Sequence, residues 1–222
     1  MFKDDKTAGR RPLEGVRVLD FSRVLAGPYC TALMADLGAE VIKVEPPAGD
    51  DYRHIGPFKE GESLLFQSVN RGKKSIVLDL KSAKGAAAAR ELAADCDVLI
   101  ENFRPGVMER FGLGAEELCT ACPQLVYVSV SGFGQTGPNR MLPAYDIIIQ
   151  ARSGLMDMTG AEDGPPMMAG DAFADVAGGM FAAFGAMVAL FDRERSGRGR
   201  HVDLALYGVD DAGGGLPGAD GG

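Results

Sequence analysis

Asp175 stands immediately before an uncharged run, Val176-Ala-Gly-Gly-Met-Phe-Ala-Ala-Phe, that reads as the opening of a buried helix. The ordinary use of an aspartate there is an N-cap, whose carboxylate accepts from the first unpaired amides. The same position also suits chemistry, because free amides and the positive helix end would keep the carboxylate ionised and stabilise negative charge developing nearby. The two glycines would let a bulky substrate approach the backbone. An ionised carboxylate in a water-poor site is a competent nucleophile towards a thioester.

Cations recur in an acidic chain. Asn70-Arg71-Gly72-Lys73-Lys74 forms a basic cluster, with Lys81 beyond the apolar run that follows it. A solvated turn would look the same, but a ligand with several phosphates needs local cations on a protein of net negative charge. Arg104 and Arg110 follow another apolar run, where open α/β sheets place their ligands.

Other motifs argue against rival chemistries. Gly132-Phe-Gly134-Gln-Thr-Gly137 fits the dinucleotide pattern, yet Pro138 and Pro143 turn what should be a phosphate-binding helix into a loop. Cys119-Thr-Ala-Cys122 sits at the end of an expected helix, where a thiolate gains nothing, and no second Cys or His pair completes a zinc site. His54 and His201 are the only histidines, and neither lies close in sequence to a Ser or Cys nucleophile. No metal site is expected.

The elements that must position these residues alternate. Residues 16–21, 40–45, 75–80, 97–103 and 125–131 are short, β-branched and nearly continuous in apolarity, as buried parallel strands are. Residues 29–37, 83–94 and 115–122 between them are rich in Ala, Leu and Glu, giving the βαβ spacing of a doubly wound sheet. Glycine, proline and methionine dominate 132–170, interrupted by one amphipathic run over 145–152. A long buried helix over 176–195 and a strand over 201–206, with no partner evident in the sequence, complete the pattern. Residues 1–12 read as a polar leader and 13–206 as the folded domain. The remaining stretch, 207–222, is glycine-rich with no apolar period, which suggests a longer chain whose pattern breaks off near Tyr207.

Composition bounds the function. The 222 residues are 46% apolar and 24% charged with a net charge of −8, enough for a real core and poorly suited to nucleic acid. The uncharged apolar stretch over 176–191 falls short of the ~20 residues of a membrane span, and MFKDDKTAGRR has no apolar signal region. Four cysteines without a secretory signal suit a reduced, cytoplasmic setting.

The sequence resembles the family III CoA-transferases, the group that includes formyl-CoA transferase, carnitine CoA-transferase and α-methylacyl-CoA racemase. The resemblance runs from about Pro12 to Leu206. It is carried by PLEGVRVLDFSRVLAGPYCTALMADLGAEVIKVEPP, SVNRGKKSIVLDLK, DVLIENFRPGVMERFGL, VSVSGFGQTGP, PAYDIIIQARSGLMDMTG, GDAFADVAGGMFAAFGAMVAL and SGRGRHVDLAL, in that order. It implies an α/β fold, a Rossmann-like parallel sheet with flanking helices, to which whole members add a small second domain that is missing from the pattern here. It also implies a homodimer of interlocked chains, with coenzyme A or an acyl-CoA as substrate, a small carboxylic acid as acceptor and no tightly bound cofactor.

On this resemblance the nucleophile falls on Asp175. The CoA-contacting positions fall on Leu25 and Ala26, on Leu78, Asp79, Leu80 and Lys81, on Asn102, Phe103 and Arg104, on Arg110, and on Pro143, Ala144, Tyr145 and Asp146. Asp175 would form a mixed anhydride and then an aspartyl-CoA thioester, with the first turn of the following helix helping to stabilise the oxyanion. The racemase branch needs a His where this chain has Tyr145, and an ordinary tyrosine, with a pKa near ~10, is a poor base at neutral pH. An inactive CoA-binding fragment is the remaining alternative.

Overall fold

Alternating side chains decide how the strands pack. In chain order the elements are β1 (Arg17–Asp20), α1 (Ala26–Asp36), β2 (Glu40–Glu45), the hairpin β3 (Phe58–Lys59) and β4 (Glu62–Ser63), α2 (Leu64–Asn70), β5 (Lys73–Val77), α3 (Ala83–Ala94), β6 (Val98–Glu101), α4 (Val107–Arg110), α5 (Ala115–Ala121), β7 (Val126–Ser131), α6 (Asp146–Arg152), α7 (Phe173–Ser196) and β8 (His201–Ala205). This computed structural model describes residues 10–208. Most of the expected leader and tail, residues 1–9 and 209–222, lie outside the described residues.

Six strands form one sheet in the order β5-β2-β1-β6-β7-β8, with every neighbouring pair parallel. Val18, Val98, Ile100, Val126 and Val128 point to one face and pack with Met34, Ile149, Ala182 and Ala186 of α1, α6 and α7. Leu19, Leu99 and Tyr127 point to the other and meet Ala89, Ala93, Met108 and Leu118 of α3, α4 and α5. Helices cover both faces, so near-continuous apolar strands are what the sheet requires. The strand over 201–205 does have a partner: it pairs in parallel with β7, in the register Tyr127↔His201.

Three expectations are corrected. The third strand begins at Lys73 rather than at residue 75 and ends at Val77, because the Lys73 ammonium enters the core and meets Asp20 at 3.0 Å. Leu78 to Lys81 are thereby released as loop. The long helix begins at Phe173, so Asp175 lies inside its first turn and is not its N-cap. Gly178 and Gly179 are buried in helix packing and do not face a substrate: a Cβ at Gly179 would lie 2.6 Å from the Ala26 carbonyl oxygen, and one at Gly178 would lie 2.2 Å from Leu206. By length and composition the 24-residue α7 could cross a membrane, but one side of it, including Ala174, Ala182, Ala183 and Ala186, is core.

A chain of buried charges ties the strand ends to the loops. Asp20 accepts from Lys73, from Ser22 and, at 2.7 Å, from Thr31. Lys43 pairs with Asp50 at 2.8 Å and donates to the Ser22 carbonyl, while Arg53 forms a two-bond pair with Glu45. Burial opposes the charge on Asp20, but Lys73, Lys43, Ser22 and Thr31 outweigh it and hold its pKa below the usual value.

Candidate active site

Parallel strands deliver their C-terminal ends to one edge of the sheet, and a cleft of about 760 Å³ opens there. Its walls include Phe21, Arg23 and Val24 after β1, Pro46, Ala48 and Gly49 after β2, and Leu78 to Lys81 after β5. They also include Asn102 to Pro105 and Arg110 after β6, Ser131 at the end of β7, and Gly132, Arg140 and Leu142 to Tyr145 after it. Eleven of the positions singled out from the sequence line this cleft: Leu78, Asp79, Leu80, Lys81, Asn102, Phe103, Arg104, Arg110, Pro143, Ala144 and Tyr145. Leu25, Ala26, Asp146 and Asp175 do not line it.

Local sequence explains the walls. Gly132 lets Ala144 pack against the end of β7, since a Cβ there would lie 2.1 Å from that of Ala144 and displace the cleft wall. The expected loop after Gly132 is present, and no helix starts before Asp146. Asn102 clamps the first loop reciprocally: its carbonyl oxygen accepts from the Arg23 backbone N–H at 2.8 Å and its amide donates to the Arg23 carbonyl at 2.7 Å.

The cations sort into two groups. Those of the 70–74 cluster are used by the protein itself: Arg71 pairs with Asp36, Lys73 with Asp20 and Lys74 with Glu40. The side chains of Arg23, Lys81, Arg104 and Arg110, all on the cleft, form no hydrogen bond or ion pair among the described residues. Arg23 and Arg140 escaped the sequence reading because nothing in a lone loop arginine marks it as facing a cleft.

Asp175 lies beside the cleft rather than in it. Its backbone N–H donates to the Asp146 carboxylate at 3.0 Å, and Asp146 follows Tyr145 on the wall and also accepts from Gln150. Asp146 is therefore the group that caps α7 from a distance. Burial first, and the Asp146 charge second, push the Asp175 carboxyl up to about 7. The expectation that helix amides keep it ionised is corrected, because three N–H groups at the helix start are committed elsewhere: Phe173 to the Asp171 carbonyl, Asp175 to Asp146, Val176 to the Ala172 carbonyl. Tyr52 belongs to the same neighbourhood, its phenol pKa raised by burial and then by Asp175, Asp171, Asp50 and Asp146.

Two further groups are settled by the geometry. His201 meets Ser129 at 3.0 Å across neighbouring strands, a contact invisible in the sequence, but Ser129 is 2% exposed and is no accessible nucleophile. Beside it the Glu101 carboxyl is pushed up to about 7 by burial. Cys119 and Cys122 are free thiols at the end of α5, and no group of three or more potential metal ligands occurs among the described residues.

The fold and this edge define a doubly wound α/β protein with a cationic cleft and a neighbouring half-buried carboxylate. Residues 13–210 match the profile of CoA-transferase family III, and the chain belongs to that family. It is 50% identical over 198 residues to the acetyl-CoA:oxalate CoA-transferase of Acetobacter aceti, covering 88% of this chain and 51% of that enzyme. It is also 50% identical to the succinyl-CoA:glutarate CoA-transferase of Mus musculus, over 88% of this chain and 45% of the other. A CAIB/BAIF family protein from Brucella suis superposes with a TM-score of 0.88 at 42% identity, over 91% of this chain and 55% of that one. The chain thus spans about half the length of the curated relatives it matches.

Proposed function

We propose that this chain carries the nucleophile and the nucleotide-facing wall of a CoA-transferase that moves CoA from an acyl-CoA to the carboxylate of a small dicarboxylic acid. The observation that carries this reading is the set of cations on the cleft that have no partner among the described residues, on a wall that ends at Tyr145, next to the Asp146 that accepts from the Asp175 backbone N–H. Relatives named for oxalate and glutarate support the choice of acceptor class.

In this scheme an Asp175 carboxylate oxygen attacks the thioester carbonyl carbon, the C–S bond breaks, and CoA leaves as thiolate with a mixed anhydride left on the enzyme. The thiolate then attacks the aspartyl carbonyl, which releases the donor as its carboxylate and forms an aspartyl-CoA thioester. The acceptor carboxylate attacks that thioester to give a second anhydride and free thiolate, which takes the acceptor's acyl group and restores Asp175. No ATP is needed, because each step passes activation from one acyl group to the next. A carboxyl near 7 is partly ionised at neutral pH and, when ionised, is more basic than an ordinary carboxylate and so a better nucleophile.

The same reading includes a homodimer in a cytoplasmic setting. The exposed row Met180, Phe181, Phe184, Val188 and Phe191 on α7 supports a partner surface, and four free cysteines suit a reducing compartment. The test is intact-mass measurement after incubation with acetyl-CoA or succinyl-CoA, with hydroxylamine trapping. An adduct that maps to Asp175, grows as pH rises through about 7 and is lost in Asp175→Ala is the expected result. An adduct that persists in that variant would overturn the assignment.

A further inference from the structure

Arg23 differs from the other cleft cations. Lys81, Arg104 and Arg110 are exposed and free to swing, whereas Arg23 is half-buried. Its position is fixed twice: the backbone is locked by both bonds to Asn102, at 2.8 and 2.7 Å, and the guanidinium lies 4.9 Å over the Phe103 ring. The other half-buried arginines each face a carboxylate: Arg17 meets Glu40 at 3.5 Å, Arg193 meets Asp97 at 2.9 Å, and Arg53 is held by Glu45 at 2.6 and 2.7 Å. The Arg23 guanidinium, with five donors, has no such partner among the described residues, although it stands on the wall of the cleft. A partly desolvated cation without an anion is costly, and a stacked guanidinium has already lost the freedom that binding would take from it.

Resting on the CoA-transferase reading, we propose that Arg23 is a specificity-determining residue that binds an oxyanion of the substrate, held ready for two-bond recognition by Phe103 and Asn102. Two groups offer that chemistry: a phosphate of the nucleotide, or the free carboxylate of the dicarboxylic acceptor. Both present paired oxygens that match the guanidinium fork. The bland alternative, a side chain that merely covers Phe103, needs the apolar stem alone.

Titration calorimetry on the whole chain separates these readings, with CoA, adenosine 3′,5′-bisphosphate, oxalate and glutarate as probes. Arg23→Met keeps a stem over Phe103 and removes the donors; Arg23→Lys keeps the charge and loses the fork. We expect Arg23→Met to weaken CoA and the bisphosphate about 10-fold or more at unchanged Tm, with Arg23→Lys recovering only part. A loss confined to oxalate or glutarate supports the inference and assigns the oxyanion to the acceptor. Equal affinity of wild type and Arg23→Met for all four probes overturns the inference, and leaves the Asp175 adduct as independent support for the transferase reading. Absence of binding of any probe to the wild type, together with absence of an adduct, overturns both.

Discussion

Asp175 ionises against its surroundings. Its ordinary value of 3.8 rises to about 7 in the fold, so between those values the folded chain holds a proton that the unfolded chain has released. This group's contribution to stability is therefore present below about pH 4 and lost as pH rises through about 7. Asp175→Asn removes the penalty and keeps the shape. Its Tm by circular dichroism should exceed wild type by roughly 2–4 °C at pH 8, with the gap closing as pH falls towards 4. A gap that does not change with pH would show that the carboxylate carries no such strain.

At the scale of elements, the apolar pattern located β1, β2, β6, β7 and β8 within a residue or two, because strands buried on both faces have few places for polar residues. It misplaced β5 for a physical reason: Lys73 begins the strand, and its role depends on Asp20, which is 53 residues away. The hairpin and α2 escaped because residues 58–70 are mostly exposed and lack a strong period. Of the site, the cleft loops were legible through consecutive motifs, whereas Arg23, the Asp146 cap and the Ser129–His201 contact exist only after folding.

The buried pair makes a prediction at this scale. Lys73→Met leaves Asp20 uncompensated in the core and should cost about 3–5 kcal/mol in urea unfolding. Adding Asp20→Asn should recover much of that loss. A cost below about 1 kcal/mol for the single variant would mean that Lys43, Ser22 and Thr31 satisfy Asp20 unaided.

The whole molecule carries a row of exposed aromatic and aliphatic side chains along α7, more than a monomer ordinarily leaves in water. With Phe181, Phe184 and Phe191 each more than half exposed, self-association is the expected behaviour. Light scattering after size exclusion should give twice the 23.3 kDa mass for wild type and a smaller species for Phe184→Asp. A wild-type monomer at micromolar concentration would assign this row to some other cover.

Asp175 stands outside the cleft on which the proposed reaction would draw, linked to its wall through Asp146, the residue after Tyr145. A ligand anchored among the cations can reach the carboxylate only with its far end, on a flexible arm. The anchor then acts as a tether, and the rate at Asp175 depends on the local concentration that the tether maintains there. Shortened thioesters lacking the nucleotide should therefore lose turnover as well as affinity, although nothing at the reacting carbon has changed.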